Sequence, residues 1–238
     1  MKLAVMQPYF FPYAGYFQLL HAADRFVFFD DVNFIKKGWI NRNNILYHGK
    51  IHPFTIPLVK VSQNKKINET EISAYGEWKA GFKKMVQDSY RKAPQFEEVN
   101  SLVEDILDKK EFQLISDLAA ASIEGVAQFL GMPVKFEYSG KLNYSGNNGQ
   151  EKIMDICRIL NANVYINPKN GAHLYDEAEF RKQNTELLFL EAGNINYSQG
   201  GNEFVPWLSI IDVLMFNTKE QVHSILQQYR LLPGNALH

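Results

Sequence analysis

Two short apolar runs with one helical stretch between them open the chain, and they limit the possible folds more than any other feature. Residues 2–6 read as a buried strand, residues 14–23 as a helix with Gly15 in its first turn, and residues 25–30 as a second buried strand. This is a βαβ unit, so the two strands should lie parallel and be joined by a right-handed crossover. A chain that starts this way implies an open, mostly parallel sheet covered by helices on both faces.

The remaining sequence extends that rhythm around a helical block. Residues 31–50 are polar, basic and irregular, and residues 52–61 are extended, with Pro53 and Pro57 favouring an edge position. From 75 to 130 the pattern is helical, broken at Pro94 and closed by Gly131-Met132-Pro133. Strands are then expected at 134–138, 163–167 and 186–190, and helices at 149–161, 176–183, 206–216 and 219–229. The expected class is α/β, a Rossmann-like open sheet with a helical insertion or subdomain. Its parts would be 1–74, 75–131 and 132–238. No internal repeat or low-complexity segment interrupts it.

Composition narrows the function. A net charge of −1 over 238 residues argues against a general nucleic-acid binder. Cys157 is the sole cysteine, so no internal disulfide can form, which fits a reducing compartment. No apolar leader follows Lys2, and no apolar run approaches the roughly 20 residues of a membrane span. No Cys-x-x-Cys, His-Glu-x-x-His or Walker loop is present, so neither a structural zinc nor a P-loop nucleotide site is indicated, and no residue is assigned as a metal ligand.

The loop after the first strand, Gln7-Pro-Tyr-Phe-Phe-Pro-Tyr13, is the leading site candidate. Ligands of open α/β sheets bind at the carboxyl ends of the strands, and a helix start favours an anion there. Gln7, Tyr9, Tyr13 and Tyr16 would bind substrate, and Gly15 would allow close backbone approach. Asp30 and Asp31 end the second strand on the same edge and could orient or deprotonate an amine or hydroxyl. Lys36, Lys37, Asn41 and Arg42 follow in a loop able to cover the site, its cations neutralising phosphate. The plain alternative is a hydrophobic plug stiffened by Pro8 and Pro12, with the aspartates capping a helix or sitting in a solvated turn. Tyr13-Ala14-Gly15-Tyr16 is also similar in place to the His-x-Gly-His motif of cytidylyltransferase-like nucleotidyltransferases. Tyrosine replaces both histidines and brings no positive charge.

A longer resemblance covers nearly the whole chain. Gln-Pro-x-Tyr-Phe-Pro-Tyr-x-Gly-Tyr-Phe in 7–17, Asp-x-Phe-Val-Phe-x-Asp-Asp-Val in 24–32 and Lys-Lys-Gly-Trp-Ile-Asn-Arg-Asn in 36–43 resemble the WbqC-like protein family. So do Tyr90-Arg-Lys-Ala-Pro94, Leu130-Gly131 and Leu208-Ser-Ile-Ile-Asp-Val-Leu214. The resemblance implies a bacterial cytoplasmic transferase of surface-polysaccharide or O-antigen biosynthesis, acting by acyl or aminoacyl transfer to a nucleotide-linked amino sugar. It implies no fixed cofactor beyond a nucleotide or nucleotide-linked donor. The implied partners are an anionic small molecule such as a nucleotide-sugar and a glycan-assembly protein. A nucleotidyltransferase lacking its histidines and a non-catalytic scaffold are the rival expectations. Tyr165-Ile-Asn-Pro168 stands where relatives have Tyr-Leu-Ser-Gly, and Ile195-Asn196 where they have His-Pro.

Further candidates are Asn167 and Lys169, in a loop at the carboxyl edge of another strand, where Lys169 could hold phosphate. A plain Pro-Lys-Asn-Gly turn is the alternative. Asp212 lies in an otherwise apolar helix. It should have an Arg or Lys partner, cap a neighbouring backbone, or act on substrate. Cys157 falls on an apolar helix face and reads as core. His21 reads as core or rim, and His173 as a surface residue.

Overall fold

The computed structural model describes residues 1–201 and 203–234; residue 202 and the last four residues of the expected 132–238 segment lie outside them. The chain begins with β1 (Lys2–Met6), α1 (Ala14–Ala22) and β2 (Arg25–Phe28). The two strands pair in parallel, with Leu3 opposite Arg25 and Met6 opposite Phe28. Next comes a two-stranded hairpin, β3 (Arg42–Tyr47) and β4 (Lys50–Thr55), then three helices, α2 (Tyr75–Tyr90), α3 (Phe96–Asp108) and α4 (Ile115–Phe129). The α/β rhythm resumes with β5 (Lys135–Tyr138), α5 (Gly149–Ile159), β6 (Val164–Pro168), α6 (Glu177–Lys182) and β7 (Glu186–Ala192). The described chain closes with α7 (Ile210–Phe216), α8 (Lys219–Leu226) and β8 (Tyr229–Pro233).

Six strands form one mixed, mostly parallel sheet in the order β5-β2-β1-β6-β7-β8, with β8 antiparallel to β7. Alternate residues of each strand face opposite sides, as strand periodicity requires. Leu3, Val5, Val27 and Tyr165 pack on the side covered by α5 and α6. Ala4, Phe26, Phe28 and Ile166 join the larger core on the other side, which contains α1 and the three-helix block. Each fully buried Phe or Leu here contributes roughly 1.5–3 kcal/mol relative to an exposed one. Cys157 packs in the smaller core, where burial pushes its thiol up to about 12. No described helix is long and apolar enough to cross a membrane.

Three elements depart from the sequence pattern. β3 occupies part of the stretch that reads as irregular. Its first residues, Arg42, Asn43 and Asn44, are poor strand formers, and pairing with β4 through a His48-Gly49 turn, both at positive φ, organises them. β8 replaces the last expected helical turn because Tyr229–Pro233 completes the ladder on β7. α7 starts at 210 rather than 206 because Ser209 is its N-cap, its hydroxyl accepting from Ile211 N at 3.3 Å.

Candidate functional site

From β1 the chain moves outward to β2 on one side and later returns to place β6 on the other. This reversal opens a crevice at the carboxyl ends of β1 and β6. A cavity of about 690 Å³ lies there. Val5, Met6 and Gln7 from the end of β1 line it, together with Asn167 and Pro168 from the end of β6. Tyr9, Pro12 and Tyr13 add the first loop, Gly149 and Ile153 the start of α5, and Gly171, Leu174 and Tyr175 the segment after β6. Phe29 and Asn170, Asn43 and Asn44 of β3, and the exposed rings of Trp39 and Trp207 complete it.

The first loop divides its rings between core and cavity. Phe11 adopts a left-handed φ of 41°, which reverses the chain. Phe10 and Phe11 turn inward, and Phe10 meets Phe54, Trp78 and Phe82 edge-on at 5.5–6.0 Å. The Phe11 carbonyl accepts from Asn43 Nδ2 at 2.7 Å and Ser209 Oγ at 2.8 Å, and its N–H donates to Ser122 Oγ at 2.9 Å. The plug expected as the plain alternative therefore exists, at these two positions. Tyr9 and Tyr13 line the cavity instead. Burial raises the phenol pKa of Tyr9, Tyr13 and Tyr16, so all three are neutral near pH 7.

Tyr16 lies beneath the loop and donates to the Gln7 carbonyl at 2.9 Å. Gly15 makes room for Tyr13: a Cβ there would sit 2.3 Å from the Tyr13 ring. That ring, rather than an open anion site, covers the start of α1, and no side chain caps the helix.

The other predicted residues hold different places. Asp30 is buried at the end of β2, accepting from Gly140 N at 2.8 Å and Ser139 Oγ at 3.0 Å. Asp31 accepts from Tyr144 O–H at 2.8 Å and from Ser139 Oγ. Phe29, just before them, lines the cavity, and the aspartates do not. Lys36 and Lys37 are exposed. Asn41 donates to the Ile56 carbonyl at 2.8 Å. Arg42 donates to the carbonyls of Gly38 and Lys37. Lys169 pairs with Glu191 at 2.5 Å; that bond and one from Arg230 hold the Glu191 carboxyl below its usual range.

Asp212 is fully buried, yet its described partners include no cation. Tyr197 O–H donates to it at 2.7 Å, Tyr90 O–H at 2.8 Å and Gln199 Nε2 at 2.8 Å. Burial raises its pKa, and these three donors oppose the rise. The cluster ties α7 to α2 and to the 197–199 segment, outside the cavity lining.

The cavity thus brings together Gln7, Tyr9, Tyr13 and Asn167. Trp39, Asn44, Tyr175 and Trp207 join them without having been singled out from sequence. A tryptophan in a polar Gly-containing loop, as in Lys-Lys-Gly-Trp39, was the available signal. No described lining residue is Asp, Glu, Lys or Arg. Among the described residues, no group of three or more His, Cys, Asp or Glu could hold a metal ion.

This architecture defines a mixed α/β protein with a neutral cavity at the reversal of strand order. A family model described as the WbqC-like protein family matches residues 7–224, and the chain belongs to that family. It is also similar to uncharacterized protein Rv1507c of Mycobacterium tuberculosis, with 26% identity over 232 residues covering 96% of this chain and 99% of the relative. No solved structure matches the chain.

Proposed function

We propose that this protein is a cytoplasmic bacterial transferase of surface-polysaccharide biosynthesis, adding an acyl or aminoacyl group to a nucleotide-linked amino sugar bound in the β1–β6 cavity. The observation that carries this reading is the cavity itself. It lies at the reversal of strand order, where open α/β sheets bind ligands, and has a volume of about 690 Å³. Membership of the WbqC-like family supports it. Tyr9 and Tyr13 would pack against the ligand, and Gln7 and Asn167 would hydrogen-bond its polar edges. Asp30 and Asp31, held by Ser139, Gly140 and Tyr144 outside the cavity lining, would brace the end of β2 rather than serve as bases for the acceptor amine. The 75–131 block would be an insertion into a Rossmann-like, nucleotidyltransferase-related sheet.

The test incubates the protein with nucleotide-linked amino sugars and activated acyl or aminoacyl donors, and follows the sugar by mass spectrometry. A mass gain on the sugar that Asn167→Ala diminishes supports the reading. Pyrophosphate release from a nucleoside triphosphate with Mg²⁺ would instead indicate nucleotidyl transfer.

A further inference from the structure

Two tryptophans at the cavity face solvent, Trp39 with 50% and Trp207 with 72% of its surface exposed. Leaving rings of this size in water forgoes burial energy, so their fixed presentation at one cavity needs a reason. Both are held by specific local structure. Trp39 lies two residues after Lys37, whose φ is 62°, and Arg42 packs over its ring at 5.5 Å. Trp207 itself takes a left-handed φ of 64°, a strained conformation for a bulky residue. The Tyr13 ring lies 5.8 Å from it, and the nearby Ser209 N–H is tied to the Asn44 carbonyl at 2.8 Å.

The polar part of the lining is equally selective. It consists of carboxamides and phenols, with no charged side chain among the described residues. Burying a ligand charge there would leave it without a counter-charge, whereas hydroxyls, amides and ring carbonyls would find partners.

We propose that Trp39 and Trp207 are stacking residues for an uncharged ring with a polar edge, and that the site discriminates against a charge on that ring, so that an amino-sugar acceptor enters with its amine neutral, the form that attacks an acyl donor. The inference rests on the reading of this cavity as a substrate site and specifies which part of the substrate enters it. A sugar ring and a nucleobase share this chemistry. Each offers a face for indole and a rim for Asn or Gln. Arg42 would be a positioning residue, its charge directed to loop carbonyls and to the back of Trp39 rather than to phosphate.

Tryptophan fluorescence provides the test, because the chain has only three tryptophans and Trp78 packs on Phe82 elsewhere. Wild type, Trp39→Phe, Trp207→Phe and the two corresponding alanine variants are titrated after circular dichroism has shown each to be folded. The sugar probes are methyl glycosides of N-acetylglucosamine (neutral), glucosamine (cationic) and glucuronic acid (anionic). Uridine and uridine monophosphate form the base arm. The expected result is saturable perturbation by a neutral ring, with binding about tenfold weaker for its charged sugar counterparts, equivalent to about 1.4 kcal/mol.

Each alanine variant should weaken binding about tenfold, and each phenylalanine variant less, as stacking requires. Response to the glycoside assigns the ring as sugar, and response to uridine assigns it as base. Equal binding of the charged sugars would overturn the discrimination. No response to any neutral ring, or unchanged affinity in both alanine variants, would overturn the stacking role. The transferase reading fails separately, when the mass-spectrometric assay shows no group transfer. Turnover with unaltered KM in both alanine variants would leave that reading standing without the stacking pair.

Discussion

The Arg42 guanidinium lies 5.5 Å from the centre of the Trp39 ring and donates to the carbonyls of Lys37 and Gly38. One side chain therefore shapes the loop and backs the ring that the loop presents. Arg42→Lys retains a charge but loses the planar fork. We expect Arg42→Lys and Arg42→Ala to weaken ligand binding to a similar degree in calorimetric titration. A lysine variant close to wild type would instead mark Arg42 as a simple counter-charge for phosphate.

Gly15 and Tyr13 should be energetically coupled. A methyl group at position 15 would enter the Tyr13 ring, which must then give way. Gly15→Ala is expected to destabilise the fold by about 1–3 kcal/mol, as overpacking does. The double variant with Tyr13→Ala should recover much of that loss. Urea denaturation of the four proteins in the cycle measures the coupling, and strict additivity would refute the close contact.

The aspartate pair depends on Ser139. Its hydroxyl accepts from Asp30 N at 3.1 Å and lies within hydrogen-bonding reach of both carboxylates. Ser139→Ala would leave Asp30 and Asp31 facing each other without it. A loss of about 1–3 kcal/mol is expected, seen as a lower urea midpoint at unchanged slope. A midpoint equal to that of wild type would show that the bridge contributes nothing.

Asp212 predicts a pH dependence of stability. Its folded pKa is raised above the usual aspartate range, chiefly by burial. The folded state therefore holds this proton more tightly than the unfolded state does. The resulting stabilisation is complete below the unfolded pKa and is lost as pH rises through the raised folded value. Wild type should thus lose stability relative to Asp212→Asn as pH increases across that window, after which the difference between them stays constant. Chemical denaturation of both proteins at several pH values tests this; a wild type that gained stability relative to Asp212→Asn as pH rose would contradict it.

Local periodicity made β1, α1 and β2 readable, because their apolar runs and spacing carry the pattern within a few residues of each position. β3 could not be read the same way. Arg42, Asn43 and Asn44 are weak strand formers, and the strand exists through β4 and through the bond from Asn43 to Phe11, 32 residues earlier. The site was legible in part for a related reason. Gln7, Tyr9, Tyr13 and Asn167 follow strands, so topology alone directs attention to them. The partners of Asp30 and Asp31 come from more than 100 residues further along, and those of Asp212 from a helix 122 residues earlier and from the 197–199 segment. No spacing rule connects such groups. Trp39 and Trp207 stand out only through their exposure, which a sequence does not display.

The strand order has a further consequence for how the molecule would sense its ligand. Because β1 and β6 are sheet neighbours drawn from distant parts of the chain, one wall of the cavity belongs to the first residues and the opposite wall to the second half. A molecule lodged there acts as a non-covalent staple across that seam. Its binding energy should slow amide exchange in β2 and β7 together, on either side of the occupied strands, and should appear as resistance to unfolding of the whole sheet rather than as the quieting of one loop.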